Sequence, residues 1–70
     1  MKLHKFIKML EESEPLCVLD EYCDTLYEFR RGVTNAEKVA QISTGHLNAK
    51  VKSVCCHNED GIEFIDVVLD

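Results

Sequence analysis

Cysteine and histidine are the side chains of this sequence with the widest chemical repertoire. Structural zinc sites usually draw sulfur ligands from a pair such as C-x2-C, because one tight turn brings both sulfurs to the ion. Here five residues separate Cys17 from Cys23, and the adjacent Cys55 and Cys56 point to opposite faces of a strand. The spacing therefore predicts no metal centre and no cofactor, with Cys17 and one of the adjacent pair as small core residues.

A thiol active site would need a base beside the sulfur and a further group that orients the base. Cys55 and His57 share a strand face and would form a thiolate–imidazole pair, whereas Cys56 and His57 face apart. No oxyanion hole, phosphate-binding glycine loop, nucleophile elbow or H-E-x-x-H motif accompanies them. The sequence therefore predicts a protein that is not an enzyme, and it predicts exposed histidines at positions 4, 46 and 57.

The acidic stretch "LDEYCDTLYE", residues 19–28, is the third candidate for chemistry. A calcium loop spaces its ligands over 12 residues around a glycine, and this stretch has neither the spacing nor a glycine. Its tyrosines favour a contact surface, since tyrosine is enriched at protein interfaces. A tip that meets only water is the alternative. The predicted protein-binding residues are Asp20, Glu21, Tyr22, Asp24, Tyr27 and Glu28.

Charge and length restrict the classes of function. The 70 residues make one domain, 1–70, with 13 acidic against 8 basic side chains and a net charge of −5. The basic residues are scattered, so direct nucleic-acid binding is disfavoured and a basic protein partner is favoured. We expect no signal peptide, because Lys5 and Lys8 interrupt the early apolar run, and the sequence has no apolar run of the roughly 20 residues that span a membrane. We therefore expect reduced thiols and a cytoplasmic location.

The first half of the chain carries the pattern of a helix followed by a hairpin. Pro15 ends the helix, and Leu16–Leu19 and Thr25–Phe29 follow as β-prone runs. Residues 20–24 between them predict a hairpin loop. The helix is indicated by apolar residues that recur on one face: Leu3, Phe6, Ile7 and Leu10.

The second half predicts another helix and another hairpin. Thr34 and Glu37 match a capping box, and Gly45 is placed to end the helix that follows. Asp60-Gly61 predicts a turn between strands at residues 50–57 and Ile62–Leu69. Both strands carry apolar residues on both parities, which indicates a bulge or burial on two faces. The inward residues expected of this helix are Ala36, Val39 and Ala40, followed by Ile42 or Ser43.

The resulting element order is α-β-β-α-β-β. It predicts an α+β fold in which a small four-stranded, mainly antiparallel sheet packs against two helices.

The stretch "VLDEYCDTLYEF" and its surroundings resemble a group of small proteins from phages and mobile elements of Gram-positive bacteria. Those proteins begin with a helix of the "K-F-I-K-M-L" kind, continue into a "D-x-Y-C-x-x-x-T-L-Y-E-G" hairpin and close with alternating isoleucine and valine. The match touches residues 5–10, 20–28 and 62–69. Here the turn is shorter, and Phe29 stands where a glycine is common. The resemblance implies an accessory protein acting in the cytoplasm of a bacterial host, and it carries over no catalytic residue.

Size, charge and this context together predict a non-enzymatic protein-binding module. By analogy, it would inhibit or modulate a host protein such as a CRISPR-type defence nuclease. The expected partner is basic, and nucleic-acid-binding proteins are among the candidates. Two alternatives stay open: a self-associating structural or assembly protein, such as a homodimer, and a small zinc or thiol protein.

Overall fold

The computed structural model describes residues 1–70, which form three short helices and a four-stranded sheet. The predicted α+β class and element order are confirmed, with one additional short helix before the second hairpin. The elements are α1 (Leu3–Met9), β1 (Leu16–Leu19), β2 (Thr25–Phe29), α2 (Asn35–Gln41), α3 (Thr44–Leu47), β3 (Val51–Glu59) and β4 (Ile62–Leu69).

The sheet is mixed, with strand order β2-β1-β4-β3. The two hairpins, β1–β2 and β3–β4, are antiparallel as predicted, whereas the central pair β1–β4 is parallel. Two of the three pairings are thus antiparallel. Because β1 and β4 lie in the middle, they have neighbours on both sides, and β2 and β3 form the edges.

The helices cover one face of the sheet. α1 contributes the fully buried Leu3 and Ile7, as its periodicity predicts, and these join Leu16, Val18 and Val67 from the central strands. The rest of this core consists of Phe29, Ile42 and Leu69.

The opposite face of the sheet, which we call the helix-free face, carries four further buried residues. Successive strand residues alternate between faces, so the neighbours of the core residues on β1 and β4 point away from the helices. The predicted burial on both parities is confirmed for β4, and a bulge interrupts the β3–β4 register between Val51 and Ser53. The buried residues of the helix-free face are Cys17, Phe64, Asp66 and Val68.

The predicted start of the second helix is correct, and its predicted end is wrong. The Thr34 hydroxyl accepts a hydrogen bond from the Glu37 amide at 3.2 Å. The helix ends at Gln41, however, because Ile42 is extended and Ser43 caps α3 by accepting from the His46 amide. Gly45 therefore lies inside α3 and does not end α2.

The buried side of α2 agrees with the predicted one only in part: Val39 packs half-buried against the core and Ile42 is buried, as predicted. Ala36 and Ala40 are exposed, whereas Lys38 is completely buried. The Lys38 ammonium donates to the Asn35 side chain at 3.2 Å, and the Asn35 amide donates to the Leu10 carbonyl at 2.9 Å. This polar chain ties α2 to the end of α1. Burial lowers the pKa of Lys38.

The second hairpin turns where the sequence predicts. Asp60 and Gly61 both have positive φ angles, 52° and 79°, which is the conformation that a two-residue hairpin turn requires. The Gly61 amide also donates to the Asn58 side chain at 3.2 Å.

Ile7 tests the contact between α1 and the sheet. Ile7→Val removes one carbon from a fully buried side chain and should lower the free energy of unfolding by about 0.5–1.5 kcal/mol. Urea unfolding followed by circular dichroism measures the change. Met9→Ala, on the exposed side of the same helix, is the control and should stay within about 0.5 kcal/mol of the parent. An equal loss at both positions would contradict the assigned buried face.

Candidate functional site

The hairpin tip, residues 20–24, is built around the side chain of Asp20. Its Oδ1 atom accepts hydrogen bonds from the amides of Tyr22 and Asp24, each at 2.9 Å. The Cys23 amide donates to the Asp20 carbonyl, also at 2.9 Å, and Cys23 has a positive φ of 66°. Asp20 therefore shapes the turn, and the remaining tip side chains are left free for solvent or a partner.

The structure separates the six predicted binding residues. Glu21, Tyr22 and Asp24 stay together on the exposed tip, where Tyr22 is 78% exposed. Tyr27 is half-buried against α3 instead. Glu28 lies on the helix-free face, where it forms an ion pair with Arg30 at 3.3 Å.

The Tyr27 hydroxyl is held from two directions. It hydrogen bonds to His46 Nδ1 at 2.9 Å and accepts from the Ser43 amide at 3.2 Å. The bond from the Ser43 amide lowers the pKa of Tyr27. These contacts join β2 to α3, so the hydroxyl already has partners within the chain.

A pocket of about 320 Å³ lies beside the hairpin tip; we call it the acidic pocket. Its carboxylates include the exposed Glu21 and Asp70, while Leu69 is buried and Leu26 is half-buried. The pocket thus combines negative charge near solvent with apolar surface deeper in. Its lining residues are Asp20, Glu21, Leu26, His46, Ala49, Leu69 and Asp70.

A second group of reactive side chains crosses the helix-free face. Cys17 on β1 pairs with Asp66 on β4, and Asp66 in turn pairs with Cys55 on β3. On the other side, Cys17 pairs with Glu28 on β2. The register therefore aligns one reactive side chain from each of the four strands in a single row.

His57 joins this row through Asp66. Its Nδ1 atom lies 2.8 and 2.7 Å from the two carboxylate oxygens of Asp66, and its Nε2 atom lies 3.6 Å from Glu59 Oε2. The imidazole stacks on Phe64, with ring centroids 5.1 Å apart. One donor atom from each of Cys17, His57 and Asp66 lies within 4.8 Å of the other two.

The protonation of this group argues against a nucleophilic thiol. Burial, together with the nearby Asp66 carboxylate, raises the pKa of Cys17 to about 11, so the thiol is protonated at neutral pH. The hydrogen bond to Asp66 raises the pKa of His57. Both ring nitrogens of His57 face carboxylates, and none of the hydrogen bonds joins the ring to Cys17. Cys17 and His57 are therefore not arranged as a thiolate–imidazole pair.

Several of these placements depart from the sequence expectations. Cys17 is buried as predicted, but Cys55 and Cys56 are both exposed because β3 is an edge strand. All four cysteines are free thiols. None of the three histidines is fully exposed, and the predicted exposure of the histidines is wrong because His46 and His57 pack against β2 and β4.

Asp66 is the residue of this candidate site that the sequence patterns do not single out. It is the only charged residue in the run "FIDVVL", residues 64–69. A carboxylate within an apolar strand is a usable signal, since a buried charge needs a partner. What the sequence could not supply is the identity of that partner.

Comparison with known proteins gives no further assignment. No protein-family model matches the chain, and no curated protein and no solved structure is significantly similar to it. Separately, none of the three helices has the length and apolar character needed to cross a membrane.

The His57–Asp66 contact should make stability depend on pH. The pKa of His57 is raised in the folded state, so the contact contributes fully below the ordinary histidine pKa of 6.5. That contribution is lost as the pH rises through the folded-state pKa. The free energy of unfolding should therefore fall as the pH rises above 6.5. It is measured from about pH 5.5 to about pH 8.5, with a chelator present to keep the chain free of metal.

Two variants isolate this contribution. His57→Gln should remove the part of the slope that the contact causes. His4→Gln should keep it, because His4 is on α1 and forms no side-chain hydrogen bond. An identical slope in the parent and in His57→Gln would show that the contact contributes nothing.

Proposed function

We propose that the protein is a non-enzymatic protein-binding module that receives a basic side chain of its partner in the acidic pocket. The observation that carries this proposal is the composition of the pocket. Three carboxylates, from Asp20, Glu21 and Asp70, share it with apolar side chains. Lysine and arginine have the complementary structure, an apolar stem that ends in a charged head.

The burial of the lining residues fits a lysine or arginine side chain. Leu69 is only 3% exposed, and Leu26 and Ala49 are half-buried, so the stem of a basic side chain would contact apolar surface. The exposed carboxylates of Glu21 and Asp70 would then meet its charged head. Charge-assisted hydrogen bonds of this kind are stronger than neutral ones.

The hairpin tip supplies a second contact for the same partner. The ring of Tyr22 is on the exposed tip next to Glu21, where it offers an aromatic face to an arginine or to an apolar side chain. The net charge of −5 adds attraction at longer range, which raises association rates at low salt.

The context favoured by the sequence suggests what the partner is. Resemblance to small phage and mobile-element proteins supports action in the cytoplasm of a bacterial host. A basic host protein, for example a defence nuclease of the CRISPR type or another nucleic-acid-binding protein, presents the required arginines and lysines. The module would act by covering that basic surface.

Charge reversal inside the pocket tests the proposal. Glu21→Lys combined with Asp70→Lys should weaken capture of a basic host protein from bacterial lysate by about tenfold or more. Asp20 is left intact because its carboxylate holds the turn. Binding of arginine-rich and glutamate-rich peptides, followed by fluorescence anisotropy at low and high salt, gives the affinity directly.

The control for net charge is a pair of reversals outside the pocket. Glu63→Lys with Glu11→Lys changes the net charge by the same amount at two exposed positions. If both double variants lose the same affinity, only overall charge matters and the pocket has no specific role. If arginine-rich peptides bind no better than glutamate-rich ones, the proposal is wrong.

Self-association is the second candidate, favoured by the exposed strand β3. This edge strand has nine residues, and five in succession, 52–56, are exposed. One of these five is the apolar Val54, which is 49% exposed. A long edge strand with exposed apolar residues offers its unpaired backbone to a second copy of the chain. Lys52 and the bulge protect only the beginning of the strand.

Light scattering across protein concentration tests self-association. The chain should form a dimer at micromolar concentration, and Val54→Lys should return it to the monomer because charges on an edge strand oppose pairing. Met9→Lys, which places the same charge on α1, should leave the dimer intact. A monomer at every concentration rules this candidate out.

A further inference from the structure

We propose that Cys17, His57 and Asp66 bind a zinc ion on the helix-free face of the sheet. The three residues come from β1, β3 and β4, and they share no member with the acidic pocket. Their donor atoms are a sulfur, a nitrogen and an oxygen, all within 4.8 Å of one another. The proposal is therefore independent of the protein-binding function and goes beyond it.

The spacing of the donors suits a small tetrahedral ion. Zinc holds nitrogen and oxygen at about 2.0–2.2 Å and sulfur at about 2.3 Å, which places tetrahedral donors about 3.3–3.8 Å apart. To reach that range, no donor pair has to close by more than about 1 Å, and His57 Nδ1 has to move about 0.5 Å away from the Asp66 oxygens, which now lie 2.7 and 2.8 Å from it. Cys17 and Asp66 are fixed on the central strands, while His57 is partly exposed on the edge strand and is the residue that would move.

The donor types select zinc over calcium and magnesium. Calcium and magnesium take oxygen ligands almost exclusively, whereas thiolate and imidazole together favour zinc and its chemical relatives. On binding, the ion would displace the proton of the Cys17 thiol and the proton that His57 Nδ1 shares with Asp66. Both protons leave to solvent, as metal binding to such ligands requires.

A second carboxylate and an aromatic ring lie beside His57, and both would support a metal-bound imidazole. Once Nδ1 holds the ion, the Nε2 hydrogen is available to the Glu59 carboxylate, whose Oε2 lies 3.6 Å from that nitrogen and would have to come closer to accept it. A carboxylate on the far nitrogen fixes the tautomer and orientation of a ligating imidazole. Stacking on Phe64 at an interplanar angle of 5° holds the ring plane. The fourth position of the ion would be filled by water from the exposed side of His57.

Such an ion would connect three of the four strands. The parallel pair β1–β4 and the antiparallel pair β3–β4 would share one centre, because each strand contributes one ligand. Small domains often add a metal because their cores alone supply little stability.

The test measures zinc affinity by competition with a chromophoric chelator, after the chain has been stripped of metal. The parent should bind one zinc per chain, and cobalt in its place should give a thiolate-to-cobalt charge-transfer band. Cys17→Ser and Asp66→Asn should each weaken zinc binding by more than about 100-fold, the upper end of what loss of an outer-shell partner costs. Cys23→Ser, at the hairpin tip, is the matched thiol control and should keep the parent affinity.

A second readout guards against variants that fail to fold. Zinc should raise the melting temperature of the parent and of Cys23→Ser, and it should leave Cys17→Ser unchanged. Nuclear magnetic resonance of the folded parent should show zinc-dependent shifts at the His57 ring and not at the His4 ring.

Absence of a stoichiometric zinc in the parent, or the same affinity in Cys17→Ser as in the parent, would overturn the proposal. Either result would leave His57–Asp66 as an ion pair beside a core thiol. The acidic-pocket variants keep these three ligands, so failure of one proposal does not imply failure of the other.

Discussion

The parallel pairing of β1 with β4 is the constraint on which the rest of the structure depends. It places both strands in the middle of the sheet, where Leu16, Val18 and Val67 complete the core beneath the helices. The same register puts Cys17 beside Asp66 on the helix-free face. A shift of one residue would exchange the two faces, moving a carboxylate into the apolar core. The core and the cluster of reactive side chains are thus fixed by one register.

Local features of the fold were predictable, and the central pairing was not. The apolar spacing of α1, the Thr34 cap and the Asp60-Gly61 turn each depend on residues close in sequence. The β1–β4 pair joins residues almost fifty positions apart, and no sequence feature of either strand identifies the other as its partner. The end of α2 was misplaced because Ser43 begins a new helix before Gly45 can end the old one. In the candidate site, the sequence predicts the tip as a loop. That Tyr27 contacts α3 and that Glu28 lies on the helix-free face depend on tertiary contacts that the local sequence does not show.

The chain divides its polar chemistry between two places of opposite character. At the hairpin tip, carboxylates stand in solvent, and Asp20 alone is committed to holding the backbone. On the helix-free face, Asp66 is only 7% exposed and Cys17 only 4%, so charge there needs compensation from within the chain. The first arrangement suits a partner that arrives and leaves with changing salt. The second suits compensation that stays in place, either a proton shared between Asp66 and His57 or a bound ion.

The buried Lys38 makes the packing of α2 against α1 accessible to chemical labelling experiments. Its side chain is completely enclosed, and its ammonium is already engaged with Asn35, which in turn holds the Leu10 carbonyl. Amine-directed reagents and modifying enzymes reach the other lysines of the chain directly, but they reach Lys38 only when α2 separates from α1. Labelling of Lys38 therefore reports how much of the time this helix pair is open. The same enclosure shields that one amine from acetylation for as long as the domain stays closed.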